Sequence, residues 1–509
     1  MANLFDAVGS WLGQKIAPYI NDALGTRGNI LANYYSGDHR PQLVRRMDAK
    51  TGKLVDDNIT QNFVGLAVDR SVSRLFRGGV KFKLPEGASA QQEYLDRVWD
   101  LNKKEIILYQ VGLHGAVYGT PYFKVSPDGL IDPYTGTAYP RLIPLDPEIV
   151  RIKTGAADMN DVQEYRIEYK AIEERDGRLV EVAHREITRK ARPNDYTEGT
   201  PAPDTSNWLV IESEQVGSAA WVEVRRTEWP YDFPPILHWK NLPSLKSCYG
   251  DSDIDDAINV QDKSNFVVSN EGKIIKHHAS PKTIITGVGA RSIEAVDSAP
   301  DTMLAIPNPE AKAYNLEMQS DLVSTQAFAQ FLRQSIFDIA REPDISSMAD
   351  KVGQLTNFGL QVLWQDSIDK NDTKRQLYGD ALKELNRRLL VLAGYEMEAS
   401  NPGEIQWGNA LPVDVTAEMT TDKTALELGI IDKETVGKRW QSRYGVEWET
   451  VQANLEKQQT QDNKNSDNIG AALLRNFNRG GAVSGAEQAM TRGGVVPQKM
   501  NGNGNKPTA

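Results

Sequence analysis

The sequence has little of several features that mark exported or membrane proteins. It contains one cysteine, Cys248, in 509 residues, which excludes an intrachain disulfide framework and any metal site that needs several cysteines. Its most apolar short run, residues 389–393, is far below the roughly 20 residues that a membrane-spanning helix needs. Residues 1–20 carry Asp6 and Lys15 within their apolar pattern and lack the order of a signal peptide. We therefore expect assembly in a reducing cytoplasm, without export or a membrane anchor.

The motifs of several enzyme classes are also missing. The sequence has no Gly-x-x-x-x-Gly-Lys-Ser/Thr loop for ATP, no Gly-x-Ser-x-Gly elbow and no His-Glu-x-x-His pair. Residues 287–292, Gly-Val-Gly-Ala-Arg-Ser, lack the third glycine of a dinucleotide-binding loop. We predict a plain turn there, and we expect neither an enzymatic activity nor a cofactor.

Basic residues are fewer than acidic ones. The chain has 58 Lys and Arg against 69 Asp and Glu, a formal net charge of -11. A protein that wraps nucleic acid neutralises phosphates with a basic face. The balance therefore argues against tight, static binding of DNA, but not against contact with DNA that must stay mobile.

Apolar residues are plentiful enough for several cores. They make up 40% of the chain, and the length corresponds to about three or four packing units. Apolar residues at helical spacing predict helices over residues 1–35, 58–76, 90–102 and 104–118, of which the first is punctuated by Gly25 and Gly28 and the second is closed by Gly78-Gly79.

The stretch 122–239 changes to a β pattern. Tyr165, Ile167 and Tyr169 alternate with charged residues, which indicates a half-buried strand. Asp176-Gly177 then predicts a hairpin into residues 179–187, and further strands are expected at 208–211 and 221–227. The part is β-rich, so the fold class that we predict is α+β.

Two long helices are predicted around an insert. They cover residues 251–276 and 320–341, and the insert at 281–318 has strand and turn character. Pro343 ends the second helix, and a longer helix is predicted at 355–393, followed by a small helical unit at 416–457. The pattern suggests a rod with a small domain at its tip. An ordinary helical bundle with a long loop is the alternative.

The acids at the start of the first long helix have almost the spacing of a calcium loop. Glycine is missing at the sixth position, where Asp256 stands, and the twelfth is Asp262 instead of glutamate. The other interpretation is that Asp251 or Ser252 caps the helix and that neighbouring acids favour its positive N-terminal end.

Several short motifs follow each other in a particular order along the chain. They are Tyr34-Tyr35-Ser36-Gly37-Asp38-His39, Asn58 with Asn62-Phe63, Val68-Asp69, Leu75-Phe76-Arg77-Gly78-Gly79, Gly115-Ala116-Val117-Tyr118-Gly119-Thr120-Pro121-Tyr122, Tyr249-Gly250-Asp251-Ser252-Asp253-Ile254, Ile405-Gln406-Trp407, Leu411-Pro412 and Leu428-Gly429-Ile430-Ile431-Asp432-Lys433-Glu434-Thr435. In the order of these motifs, over residues 30–457, the chain resembles the phage portal proteins of tailed phages with long tails.

The resemblance implies a portal-like fold that assembles as a ring, usually of twelve subunits, at the capsid vertex of the virion. It implies a β-rich wing, a helical stem, an α/β clip and a helical crown. The implied parts are the wing at 1–250, stem helices at 251–278 and 319–341, the clip at 279–318, a tunnel loop at 342–352, a long wing helix at 353–399, the crown at 400–457 and a flexible tail at 458–509.

The resemblance also implies partners and contact residues. The channel passes double-stranded DNA during packaging and ejection. The clip meets the terminase large subunit and later a head–tail adaptor, and the capsid protein or a scaffold surrounds the ring. The implied channel residues are Met348, Asp350, Lys351, Arg341 and Arg333, and the clip offers Lys282, Arg291, Glu294 and Asp297.

Other interpretations stay open at this stage. Arg333 and Arg341 can instead form salt bridges with stem acids of a neighbouring subunit. The whole chain can instead be a metal-dependent enzyme that uses the acids at 251–262, or another oligomeric tail or adaptor protein of the virion.

Overall fold

Helices and antiparallel strands occupy separate blocks of the chain. The structure is a computed structural model. It describes residues 25–39, 43, 46–47, 52, 54–56, 58–175, 177–192, 208–245, 247–279, 283–286, 312–315, 323–348, 357–396, 401–410, 415–444 and 448–461. The chain divides into two compact units, one up to Pro412 and the other from Val413 onward.

Four helices and short strands form the N-terminal block. In chain order they are α1 (Gly25–Ser36), β1 (Arg46–Met47), β2 (Leu54–Val55), α2 (Phe63–Leu75), β3 (Val80–Lys83), α3 (Ser89–Leu101) and α4 (Lys104–Tyr118). The bounds of α3 and α4 agree with the predicted helices to within a residue. Residues 1–24, the rest of the first predicted helix, lie outside the described residues.

Gly28 does not interrupt α1, so the predicted punctuation there is wrong, and Gly25 is the first described residue of the helix. Gly28 is buried against the side chains of Tyr118 and Glu148. Leu31 and Tyr34 place the same helix face in a core with α2 and α4. This packing outweighs the modest cost of glycine within a helix.

Helix α2 starts five residues later than predicted. The side chain of Asn62 accepts a hydrogen bond from the Gly65 N–H and so caps the helix. The closing signal is confirmed, because Gly78 and Gly79 have φ of 77° and 79°, a conformation that glycine adopts without strain.

The β-rich block is confirmed between residues 122 and 238. Its strands are β4 (Tyr122–Ile131), β5 (Ala138–Leu145), β6 (Val150–Thr154), β7 (Val162–Arg175), β8 (Arg178–Lys190), β9 (Trp208–Val216), β10 (Val222–Trp229) and β11 (Ile236–His238). Five form an antiparallel sheet in the order β10-β9-β8-β7-β6, and three form a second sheet in the order β11-β4-β5. The predicted hairpin is β7–β8, in which Arg175 pairs with Arg178.

Long helices follow the sheets. A 3-10 turn (Asp255–Ala257) leads into α5 (Ile258–Ala279). Strands β12 (Thr283–Thr286) and β13 (Lys312–Asn315) pair with each other, and α6 (Val323–Ile339), a 3-10 turn (Ile345–Met348), α7 (Asn357–Leu392) and β14 (Glu404–Trp407) complete the first unit. Helix α5 begins seven residues after its predicted start, because the preceding acids lie in the turn instead of the helix. Within the predicted insert at 281–318, only residues 283–286 and 312–315 are described.

Helix α7 joins the blocks of the first unit. Leu382, Leu385 and Leu389 are fully buried in a core with Trp99 and Phe82. The Trp99 Nε1–H donates to Asn386 Oδ1 at 2.8 Å, so the largest buried ring of this core has its polar atom satisfied. A separate core lies against the five-stranded sheet.

The second unit is helical, as expected for residues 416–457. It contains α8 (Val415–Glu427), α9 (Lys433–Tyr444) and a helix at 448–461. The last of these continues past the predicted start of the tail at 458, and residues 462–509 lie outside the described residues. No helix in the described ranges has the length and apolarity needed to cross a membrane. The described structure is mixed α+β, in agreement with the predicted class.

Candidate functional site

The start of α5 and the end of α6 lie together against α2 and α7. We call this place the helix root. Asp253 lies just before α5 and Glu342 lies just after α6. Both carboxylates are buried, with side chains about 1% exposed. Because a buried carboxylate is costly unless it is paired, its partners show what holds the two helices in place.

Asp253 is held by α2 and α7 together. Lys374 Nζ lies 2.5 Å and Lys370 Nζ 3.2 Å from Asp253 Oδ2. The Ser71 hydroxyl donates to the same oxygen at 2.9 Å, and Asn241 Nδ2 donates to Oδ1 at 3.0 Å. All four partners come from outside the turn that carries Asp253, so this carboxylate ties α5 to the rest of the unit.

Glu342 forms a second buried ion pair beside the first. The Arg74 guanidinium lies 2.8 Å from it and stacks over the Trp364 ring at 4.3 Å. The Ser367 hydroxyl donates to Glu342 Oε1 at 3.1 Å. Lys370 Nζ also donates to a backbone carbonyl at the end of α6, that of Ala340, at 2.8 Å. The end of α6 is therefore attached to the same two helices, α2 and α7.

The helix root holds three cations and two carboxylates. Burial lowers the pKa of Lys374 to about 8, and the nearby Lys370 charge adds to this, against the attraction of Asp253. Burial alone would raise the pKa of Asp253, but the two lysines outweigh it and hold the pKa well below its usual range. Asp253 is therefore ionised at neutral pH, and burial brings the titration of Lys374 closer to neutral pH than that of an ordinary lysine.

Two arginines predicted to face a channel lie in different environments. Arg333 Nε and Nη2 donate to the Asp344 carboxylate at 2.7 and 2.8 Å, and its guanidinium stacks on Phe63 at 4.9 Å. The charge of Arg333 is thus paired within its own subunit. Arg341 is exposed, with φ of 53° just beyond the end of α6.

Of the predicted tunnel loop at 342–352, the structure describes residues 342–348. Glu342, Pro343 and Asp344 are buried, and the Pro343 carbonyl accepts a hydrogen bond from Arg70 at 3.2 Å. The first three residues of this segment are therefore packed against their own subunit. Met348 ends the 3-10 turn, and Asp350 and Lys351 lie outside the described residues.

The predicted clip is described only in its two strands. Thr283 pairs with Asn315 and Thr286 with Lys312 in an antiparallel ladder between α5 and α6. The candidate docking residues Lys282, Arg291, Glu294 and Asp297 lie outside the described residues.

The acids at 251–262 do not converge on one point. Asp253 faces the lysines of α7, Asp255 pairs with Arg27, and Asp262 accepts a hydrogen bond from the Tyr34 hydroxyl. Among the described residues there is no group of three or more acidic, histidine or cysteine side chains close enough to hold a metal ion. The calcium-loop spacing in the sequence is therefore not reproduced in space.

The helix root was missed in the sequence, although a signal for it exists. The buried stripe of α7 runs through Leu385, Leu382 and Tyr378. Steps of four residues toward the N-terminus bring this stripe to Lys374 and Lys370. A lysine in the core-facing stripe of a helix needs a buried acid as its partner. The position of Lys374 and Lys370 in this stripe therefore predicts a buried carboxylate, and in the structure it is that of Asp253.

Removal of the Asp253 charge should destabilise the first unit strongly. We expect Asp253→Asn to lower the free energy of unfolding by about 3–5 kcal/mol, because it leaves two buried ammonium groups without a counter-ion. The double variant Asp253→Asn with Lys374→Met should lose less than the sum of the two single variants. Urea unfolding of the four proteins measures this coupling, and additive losses would show that the pair does not interact.

The stability of the fold should also depend on Lys374 at alkaline pH. The pKa of Lys374 is about 8 in the folded chain against 10.5 ordinarily, so between these values the unfolded chain binds more protons. The free energy of unfolding of the unaltered protein, relative to that of Lys374→Met, should rise by about 2–3 kcal/mol from pH 8 to pH 10.5. Urea titrations across this range test it, and a constant difference between the two proteins contradicts it.

Comparison with known proteins gives one family. The sequence model of the family described as "Phage portal protein, SPP1 Gp6-like" matches residues 18–465. No curated protein is significantly similar to the chain. Portal proteins are structural, non-enzymatic components of the virion, and they form the channel at the capsid vertex through which DNA is packaged. Since the match spans most of the 509 residues, the chain belongs to the SPP1 Gp6-like family of phage portal proteins.

Proposed function

We propose that twelve copies of the chain close into a ring around the DNA channel, with α5 and α6 as its stem. Residues 1–250 and α7 form the wing, residues 279–318 the clip and residues 400–457 the crown. The ring is a conduit for packaging and ejection, and a separate terminase supplies the ATP-driven force. The missing ATP loop in the sequence supports this division of labour.

The exposed face of α6 is the observation that carries the ring proposal. Val323, Phe328 and Phe331 are 65%, 43% and 60% exposed, and the last two rings stack with their centroids 6.4 Å apart. Of the 17 residues of α6 only Arg333 and Asp338 are charged, and Arg333 is paired with a residue of its own chain. A helix whose outer face is in contact with solvent usually carries more charged residues on that face, so the exposed face of α6 is suited to contact with another protein surface.

A second copy of the chain is the occupant that fits this face. Portal proteins work as oligomeric rings, and in a ring every subunit offers the same face to a neighbour. Helix α5 of that neighbour is a suitable surface, because it exposes Phe266 at 47%. Burial of these apolar side chains between subunits then drives closure of the ring.

A charge on this face should prevent assembly. Phe331→Asp is expected to lower the fraction of protein in rings at least tenfold, because closure would bury an unpaired carboxylate between subunits. Light scattering after size exclusion and negative-stain electron microscopy measure the ring fraction. The matched control is Gln326→Asp, an equally exposed position about 140° round the helix from Phe331. Rings of Phe331→Asp in normal yield would show that another surface joins the subunits.

The charge of the ring suits a duplex that must slide. Twelve copies at -11 each carry about -132 in total, which repels the phosphates and keeps DNA away from the wall. Isolated basic side chains then provide brief contacts. Arg341 is exposed at the base of the segment before α7 and Lys351 lies within that segment, whereas the charge of Arg333 is already neutralised by Asp344.

Loss of a channel contact should affect DNA movement and leave the ring intact. We expect Lys351→Ala to lower the yield of packaged DNA several-fold with a normal ring fraction, because each cationic contact adds to the affinity for the backbone. Packaging of phage DNA into procapsids is the measurement. Lys423→Ala, which removes an exposed lysine of the second unit, is the control. Normal packaging, or failure to form rings, would remove Lys351 from the channel.

The ends of the ring are proposed to hold the other partners. The segment between β12 and β13, with Arg291, Glu294 and Asp297, together with Lys282 just before β12, would dock first the terminase large subunit and then the head–tail adaptor. The wing would meet the capsid protein or a scaffold. The position of the β12–β13 pair between the far ends of α5 and α6 supports the first assignment.

A further inference from the structure

Helix α5 carries a row of buried polar side chains on one face. Gln261, Asn265 and Ser269 follow each other at intervals of four residues, and each is at most 2% exposed. We call these three residues the polar ladder. They face residues 59–64, which lead into α2. Three uncharged polar residues in a buried stripe are unusual, because the core-facing stripe of a helix is normally apolar.

Every rung of the polar ladder binds main-chain atoms. Ser269 Oγ accepts from the Ile59 N–H at 2.9 Å and donates to the Ile59 carbonyl at 3.1 Å. Asn265 Oδ1 accepts from the Gln61 N–H at 2.9 Å, and Gln261 Nε2 donates to the Gln61 carbonyl at 2.7 Å. The helix thus gives this segment the hydrogen bonds that a neighbouring strand would otherwise provide.

The last rung holds the start of α2. Gln261 Oε1 accepts from the N–H groups of Phe63 and Val64 at 3.2 and 3.4 Å. These belong to the first turn of α2, whose N–H groups have no partner inside their own helix. Gln261 therefore adds to the cap that Asn62 makes.

The repeat lengths of the two elements match. Four helical residues rise about 6 Å, and two extended residues rise about 6.6 Å. Successive rungs of α5 therefore meet every second residue of the segment. If α5 moved along its axis relative to the segment, a shift of one helical turn is the only small displacement that would again place ladder side chains opposite the same main-chain groups.

A slip of one turn in either direction would leave buried groups without partners. In one direction Ala257 would replace Gln261 and offer no acceptor to the Phe63 and Val64 amides. In the other direction Lys273 would replace Ser269, and an ammonium group cannot accept from the Ile59 amide. An unsatisfied buried amide is costly, so the row selects a single register.

The motif near residue 34 completes the arrangement. Asn265 Nδ2 donates to His39 Nδ1 at 2.9 Å, and His39 Nε2 donates to the Tyr34 carbonyl at 3.0 Å. The Tyr34 hydroxyl donates to Asp262, also on α5. The buried His39 ring therefore extends the row of bonds from α5 to the end of α1.

We propose that the polar ladder is a register lock, which sets the axial position of α5 against the segment 59–64 in every subunit. In the ring, a consequence that rests on the proposed function, all copies of α5 then stand at one height. The β12–β13 ends are level as a result, and a ring-shaped partner meets a flat surface.

Cysteine pairs report the register directly. A Cβ at position 272 would lie 2.8 Å from Ile59 Cδ1 and 3.9 Å from its Cγ1, so the thiols of Ile59→Cys and Gly272→Cys should be within reach of a short bifunctional thiol reagent in a Cys248→Ser background. Val268→Cys or Lys276→Cys, each combined with Ile59→Cys, places the second thiol one turn away. The native pair should cross-link at least tenfold more than either shifted pair.

The lock is tested by removing rungs from these cysteine proteins. With Gln261→Leu and Asn265→Leu, cross-linking of a shifted pair should rise at least fivefold. If the native pair still dominates unchanged, other packing sets the register and the proposal is wrong. The full chain is used, and ring formation is scored separately, so that failure of the ring does not count against the lock.

Hydrogen exchange of the full chain gives an independent measurement. In Asn265→Leu the peptide that contains the Gln61 amide should exchange at least tenfold faster, whereas Asn265→Asp, which keeps an acceptor, should retain protection. Asn259→Leu, a change at an exposed position of the same helix, should alter nothing. Unchanged protection in Asn265→Leu, or equal loss in Asn265→Asp, would overturn the assigned role of the Asn265 oxygen.

Discussion

The buried carboxylate of Asp253 is the constraint on which the rest of the first unit depends. It lies before α5, and its partners Lys374, Lys370 and Ser71 belong to α7 and α2. The Glu342–Arg74 pair repeats the arrangement at the end of α6. Helices α5 and α6, which pack against each other, are thus held at one end by charges that water does not reach. Such pairs gain little net stability over apolar packing, but they are costly to break one partner at a time, which favours a single arrangement of the base.

Local patterns in the sequence were sufficient for most of the elements. Apolar spacing located α3, α4 and α7, and a two-residue Asp-Gly signal located the β7–β8 hairpin. Failures occurred where tertiary contacts outweigh local preference. Gly28 is accepted in α1 because it packs against Tyr118, and α2 starts late because the residues before it bond to α5. Neither effect can be read from a window of neighbouring residues.

The candidate site was harder to predict than the fold, for a physical reason. A charged side chain in a sequence looks the same whether it faces water or a buried partner hundreds of residues away. Arg333 was predicted as a channel residue, and its pairing with Asp344 within the chain had no signal in the sequence. No role was predicted for Lys374, yet it lies at the centre of the helix root. The family was recognisable because portal motifs such as Tyr34 to His39 occur in a fixed order, and that order does not require knowledge of the partners.

Besides His39 and the Phe63 and Val64 amides, the polar ladder binds residues 59 and 61, and there it contacts only the backbone. Their side chains are not part of the recognition, and Ile59 is 44% exposed. Substitutions at residue 61 can therefore keep these hydrogen bonds, and those at residue 59 need only preserve the contact of its side chain with Gly272, whereas Gln261, Asn265 and Ser269 have no such latitude. Within this contact, one side is defined by its backbone and the other by its side chains, so the side chain at residue 61 can change while the position of α5 stays fixed.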